Sequence, residues 1–152
     1  MAGVWFDELT VGQTFGHAIR RTVTEADTVW FSAMTHNPAY LHLDEEYCRT
    51  ETEFGLRIVD SCFTLSLMVG ISVTETTLGT TVANLGWDAV RFPRPVFHGD
   101  TIRVETEIIG LRESRSRPNA GIVTFEHRAH NQHGDLVATC RRSGLQLKRP
   151  QD

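Results

Sequence analysis

The chain has 152 residues, 40% of them hydrophobic, and a formal net charge of −4. A chain of that length buries ~70% of the surface it would expose unfolded, so a single domain over residues 1–152 is expected without a metal or disulfide staple. The acidic balance argues against a nucleic-acid or anionic-membrane surface, which requires a dominant basic field. Met1 to Asp7 has neither a basic n-region nor a long apolar stretch, so no signal peptide is expected. The longest apolar run, Leu65 to Val73, is too short and too interrupted by serine to span a bilayer. Cys48, Cys62 and Cys140 are odd in number and lack CxxC spacing, which predicts reduced thiols in a cytoplasmic protein.

Gln13 to Val23 reads as a first strand. Thr24 then opens a helix as its N-cap, with Glu25 and Asp27 placing negative charge in the first turn. That helix is predicted to run through Val29, Trp30 and Phe31 to about Met34. Pro38 disfavours helix at Asn37, so Asn37 to Asp44 reads as loop and Asp44 to Thr50 as a short acidic turn. From Asp60 to Val73 apolar and small residues occur all round, with no charge after Asp60. A helix without a polar face must be covered on nearly all sides. Four long strand candidates follow, Thr80 to Phe92, Asp100 to Leu111, Ala120 to His133 and Leu136 to Lys148, separated by turn-forming residues. Ile102, Val104, Thr106 and Ile108 alternate with Arg103, Glu105 and Glu107, the pattern of a half-exposed strand. One buried helix followed by long antiparallel strands predicts an α+β fold with the sheet wrapped around the helix.

Two stretches hold the candidate chemistry. Asn37-Pro38-Ala39-Tyr40-Leu41-His42-Leu43-Asp44 is followed by Glu53-Phe54-Gly55-Leu56-Arg57-Ile58-Val59-Asp60-Ser61. Together they resemble the signature of the MaoC-like (R)-specific enoyl-CoA hydratases. That pattern is Asp-x-Asn-Pro-Leu-His-x-Asp, then Phe-Gly-x-x-Ile-Val-His-Gly at the start of a buried helix. Aligned on the histidine, His42 matches the catalytic histidine. Asn37 stands at the catalytic aspartate, Asp60 at the second histidine and Ser61 at the glycine. The turn Phe97-His98-Gly99-Asp100 resembles the Pro-Val-Phe-x-Gly-Asp turn of MaoC-like proteins. Arg112 to Pro118, with Gly121-Ile122-Val123, is similar to a subgroup of mesaconyl-CoA or related dicarboxylyl-CoA hydratases.

The resemblance implies a hotdog fold and a homodimer whose sheets join edge to edge, which also covers exposed strand edges. It further implies an acyl-CoA tunnel at the dimer interface and cofactor-free hydration of a 2-enoyl-CoA to a 3-hydroxyacyl-CoA, with a short branched or dicarboxylic acyl group (mesaconyl- or itaconyl-like) as the finer expectation. A hotdog thioesterase using Asp60 or His42, and a non-catalytic acyl-CoA-binding subunit, are the alternatives.

Hydration needs a base for water, an acid for Cα and donors for the enolate oxygen. Imidazole titrates near neutral pH, so His42 suits proton transfer; its plainer role is capping backbone in a loop. Asn37 either orients a water through its amide or makes an Asx-turn before proline. In the first case Asn37→Asp is expected to keep or raise hydration. The Ser61 backbone N–H is the candidate oxyanion donor, because free N–H groups at a helix start point at a bound carbonyl oxygen. Asp60 is either the N-cap of the buried helix or a base. Arg115 and Arg117, with Arg57 and Arg91, are candidates for CoA phosphates or a substrate carboxylate, which guanidinium forks suit. His127 and His130 fall on opposite faces of a strand, and no metal is expected.

Overall fold

Apolar–polar alternation in the C-terminal half produces four long antiparallel strands, β3 (Thr81–Arg91), β4 (Thr101–Glu113), β5 (Ala120–His130) and β6 (Leu136–Leu147). The structure is a computed structural model and describes residues 3–151. With the short N-terminal strand β1 (Thr14–Gly16), the strand order is β1-β4-β5-β6-β3, which leaves β3 at one edge. In β4 the predicted period holds, with Ile102, Val104, Thr106 and Ile108 buried. β5 ends three residues earlier than expected because the Asn131 side-chain oxygen accepts the N–H groups of His133 and Asp135 and bends the chain into a turn.

The first predicted strand is broken in two. β1 (Thr14–Gly16) and β2 (Arg21–Thr22) both pair with β4; the His17 N–H still donates to the Val104 carbonyl, and residues 18–20 leave the ladder. The cause is Glu75, whose carboxylate accepts from His17 Nδ1 at 2.8 Å and from the Ala18 N–H at 3.2 Å. His17 begins a buried chain of hydrogen bonds across the sheet: Thr106 Oγ1 lies 2.7 Å from His17 Nε2 and 2.8 Å from His127 Nδ1, and Arg142 Nε donates to His127 Nε2 at 3.1 Å. One direction of donation satisfies every link, from Arg142 through His127 and Thr106 to His17 and Glu75. Burial, reinforced by the Arg142 charge, pushes the His127 imidazole down to about 3.

The central helix α4 (Ser61–Thr76) lies across the concave face of the sheet. Met68 and Ile71 pack against Ile102, Val104, Ala129, Val137 and Ala138. Its buried stripe is Thr64, Met68, Ile71, Ser72 and Thr76, while Ser61, Cys62, Ser66 and Gly70 are exposed. The expectation of cover on nearly all sides therefore holds for one stripe only; the sheet of one copy reaches one side of the helix. Sheet and buried helix together form the α+β hotdog arrangement.

Three short helices form a cap over the N-terminal end of α4. α1 (Glu25–Thr35) starts where predicted: the Asp27 carboxylate accepts the Thr24 N–H at 2.8 Å. The bidentate Arg21 guanidinium, aided by Thr24, holds the Asp27 carboxyl well below the usual carboxylate range. α1 buries Thr28 and Ser32 and exposes Trp30 and Met34; Phe31 meets α4 edge-on at Phe63. The segments read as loop and acidic turn contain helix instead, α2 (Tyr40–Leu43) and α3 (Glu45–Glu51). Asp44 caps α3 by accepting the Tyr47 N–H at 2.9 Å, and Glu45 and Glu46 occupy the favourable first turn. No helix among the described residues is long and apolar enough to cross a membrane.

Candidate active site

Beyond α1, Asn37 and Pro38 lead the chain into α2, whose His42 faces Asp60 at the start of α4. His36 closes α1 in the left-handed conformation, and the Asn37 N–H donates to the Ser32 carbonyl at 3.0 Å. The residues before α4 are held in extended form by an isolated bridge between Ile58 and Phe97 and by the Val59 N–H donating to the Val96 carbonyl. α2 is tied to this segment twice: the Ile58 N–H donates to the Leu41 carbonyl, and His42 Nδ1 lies 2.8 Å from the Ile58 carbonyl oxygen.

That second contact fixes the histidine. A carbonyl only accepts, so Nδ1 carries the proton and the lone pair of neutral His42 sits on Nε2. Nε2 faces Asp60 Oδ2 at 3.7 Å, with both residues buried. This separation is too long for a direct hydrogen bond. Asp60 is the N-cap of α4, its Oδ1 accepting the Cys62 N–H at 2.7 Å. Its other oxygen accepts from Asn37 Nδ2, also at 2.7 Å. The cap reading of Asp60 holds, and its second oxygen faces an imidazole. The carboxylate also sits where the helix dipole favours negative charge.

Of the two readings of Asn37, the structure holds the Asx-turn, and the amide has a further contact. Its Oδ1 accepts the Ala39 N–H at 3.1 Å, an Asx-turn, and its NH2 holds Asp60. The amide is thus committed at both ends and serves to aim the carboxylate. The expected result of Asn37→Asp reverses accordingly. A second carboxylate about 2.7 Å from Asp60 Oδ2 cannot ionise independently of it. The variant is expected to lose about 10- to 100-fold in kcat/KM; an unchanged or faster enzyme would restore the water-orienting role.

The Ser61 N–H has no hydrogen-bond partner among the described residues. It lies one residue past the carboxylate, at the positive end of a 16-residue helix. Removing this donor by Ser61→Pro is expected to cost ~10²–10³-fold in turnover, as for an oxyanion-hole donor, with little loss of stability because proline fits the first helical position. Ser61→Ala keeps the N–H and is expected to retain most activity. Equal severe losses in a steady-state assay of both would assign the role to the hydroxyl.

Ser61 and Thr64 also border an apolar cavity of about 220 Å³, walled by Phe54, Ile58, Val59, Phe92, Val96 and Val137 and rimmed by Arg94. Arg94 was missed in the sequence; the only available signal was an arginine set between Pro93 and Pro95 in the turn after β3.

The predicted arginines do not gather here. Arg57 is a structural clamp, its guanidinium shared between Glu25 at 2.8 Å and Glu45 at 2.5 Å, which joins α1 to α3. Its Nε and Nη2 are thereby engaged by carboxylates of the chain. Arg91 is exposed at the end of β3 and donates to the Val90 carbonyl. Arg115 and Arg117 lie in the turn between β4 and β5. That turn borders the far end of α4, because Ala120 pairs with Leu147 and the Leu147 N–H donates to the Thr80 carbonyl. Sixteen helical residues put them ~24 Å from Ser61 within one copy.

A hotdog sheet holding a buried histidine and carboxylate against a free N–H at the start of its central helix defines the class of protein. The chain belongs to the MaoC-like domain family, whose profile matches residues 7–131. It is 34% identical over 150 residues to mesaconyl-CoA hydratase from Cereibacter sphaeroides, covering 97% of this chain and 42% of that protein. The chain thus spans less than half the length of that relative. Over 114 residues it is 32% identical to (R)-specific enoyl-CoA hydratase from Aeromonas caviae, covering 75% and 79% of the two chains. Among solved structures, the monoamine oxidase regulatory protein from Archaeoglobus fulgius matches with a TM-score of 0.87 and 31% identity, over 99% of this chain and 98% of that one.

Proposed function

We propose that this protein catalyses the reversible hydration of a 2-enoyl-CoA to a 3-hydroxyacyl-CoA. The observation that carries this reading is the 3.7 Å gap between His42 Nε2 and Asp60 Oδ2. A single water oxygen ~2.8 Å from each spans that gap and donates one O–H to the imidazole and one to the carboxylate. Both of its lone pairs stay free, and one attacks Cβ. His42 Nε2 takes the proton from water and returns it to Cα, while the Ser61 N–H stabilises the enolate oxygen. Asn37 positions Asp60, and no cofactor enters the step. The hydratase names of the relatives support the same reaction class.

A thioesterase would use Asp60 as nucleophile or base. Both of its oxygens are engaged, by Cys62 and Asn37, which favours a fixed acceptor over an attacking group. Incubation with a panel of enoyl-CoAs and mass detection separates the outcomes: gain of one water supports hydration, free CoA supports thioester cleavage, and tight binding without change supports a non-catalytic acyl-CoA-binding subunit.

The functional unit of this reading is a homodimer of single hotdog domains joined antiparallel along β3. That edge carries the half-exposed Leu85 and Trp87, and α4 exposes Ser66 and Gly70 where one copy's sheet gives no cover. Antiparallel pairing turns the β4–β5 turn of each copy toward the α4 N-terminal end of the other. In this arrangement Arg115 and Arg117 serve CoA phosphates across the dimer, near Arg91. The finer substrate expectation, a short branched or dicarboxylic acyl group, agrees with a cavity of about 220 Å³, roughly seven water volumes at ~30 Å³ each.

A further inference from the structure

We infer that Arg94 is the specificity-determining residue of this site and selects acyl groups that end in a carboxylate. The inference rests on the enoyl-CoA hydratase reading and names the substrate class for the same cavity. The cavity beside Ser61 is apolar along most of its wall, and Arg94 is the one charged residue that borders it. A sphere of about 220 Å³ is ~7.5 Å across. The two carboxyl carbons of a four-carbon diacyl chain lie ~4 Å apart, given C–C bonds of ~1.5 Å. Ser61 and Arg94 border the same cavity, so the assignment seats the thioester carbonyl on the Ser61 N–H and turns the distal end of such a chain toward Arg94.

The guanidinium is available for that contact. Arg94 Nη1 meets Asp135 at 3.3 Å, the side chain is 64% exposed, and its guanidinium has no other ion pair among the described residues. A guanidinium carries five donors in a planar fork that matches a carboxylate with two parallel hydrogen bonds. The single long Asp135 contact steadies the fork without filling it. Arg57 is the contrast: its Nε and Nη2 are paired with Glu45 and Glu25, and it does not border the cavity. A methyl group in place of the distal carboxylate leaves Arg94 in solvent and forfeits the paired hydrogen bonds. The site then discriminates by charge at the chain end, since length and branching are nearly the same in the two acyl groups.

The test uses mesaconyl-CoA, its CoA on the carboxyl next to the methyl-bearing carbon, and tiglyl-CoA, which differs only by a methyl in place of the distal carboxylate. Binding by calorimetry and kcat/KM are measured for both in the wild type, Arg94→Leu and Arg94→Lys. In Arg94→Leu the preference for mesaconyl-CoA over tiglyl-CoA is expected to fall by about 10- to 100-fold, mainly through KM and Kd. Lysine restores part of it, because a point charge replaces a fork. A ratio that stays at the wild-type value overturns the assignment. Equal losses on both thioesters also overturn it, assigning Arg94 to the CoA moiety they share. Should the wild type bind mesaconyl-CoA preferentially through Arg94 yet hydrate neither thioester, the specificity assignment stands and the hydratase reading falls.

Discussion

Replacement of His42 by alanine is expected to lower hydration of the best enoyl-CoA by ~10²–10⁴-fold, the usual contribution of a positioned acid–base group. The loss has two physical parts. The first is chemical: Nε2 is the ring nitrogen that faces Asp60, and in the proposed mechanism it takes the proton from water and returns it to carbon while Asp60 accepts the other O–H. The second is structural, because Nδ1 bonds the Ile58 carbonyl and so helps hold α2 over the start of α4. Leaving that acceptor unpaired in a buried setting costs about 1–3 kcal/mol. His42→Asn separates the two parts. Its side-chain NH2 can replace the Nδ1 donor while offering no base, so it should fold nearly as the wild type and remain as inactive as alanine. Thermal unfolding and single-turnover rates on both variants check this. A robust rate in either one sinks the proposed mechanism at its centre.

The parts of this molecule that obey short-range rules were legible in the sequence. The period-two alternation of β4 and the charge-free run of α4 needed only local pattern, and Thr24 with Asp27 marked the start of α1 as a capping pair does. Features set by distant partners were not. The first strand breaks because Glu75, some sixty residues away, captures His17 and Ala18. Arg57 reads as a free cation until Glu25 and Glu45 close on it from two helices. α2 and α3 were hidden for a different reason: they are one and two turns long, too short to show a helical period. The site divides in the same way. His42, Asp60 and Ser61 were found from their motif positions. The role of Asn37 depended on its reaching Asp60, 23 residues on, and Arg94 on the closure of a cavity from four separate segments.

Asp60 decides whether this site works by a transposed carboxylate. The resembled signature has its aspartate at the position of Asn37 and a histidine at that of Asp60. Here the amide and the carboxylate meet at 2.7 Å, so the negative charge still faces the imidazole, supplied from the helix cap. Asp60→Asn isolates that charge. Asparagine caps a helix about as well as aspartate, and its side-chain oxygen can still accept the Cys62 N–H. Stability should therefore change little, while hydration falls by ~10²–10⁴-fold as water loses an anionic acceptor. Asp60→Ala removes the cap as well and is expected to cost a further ~1 kcal/mol of stability, seen as a lower Tm at the same low activity. The pair of variants separates charge from capping. If Asp60→Asn hydrates enoyl-CoA at the wild-type rate, Asp60 is a cap alone and His42 works without a carboxylate partner. If the double variant Asn37→Asp/Asp60→Asn, which restores the carboxylate to the signature position, recovers activity lost in Asp60→Asn, then the two positions exchange one function. The geometry predicts that recovery, because the transposed pair keeps one charge, one amide and the same contact between them.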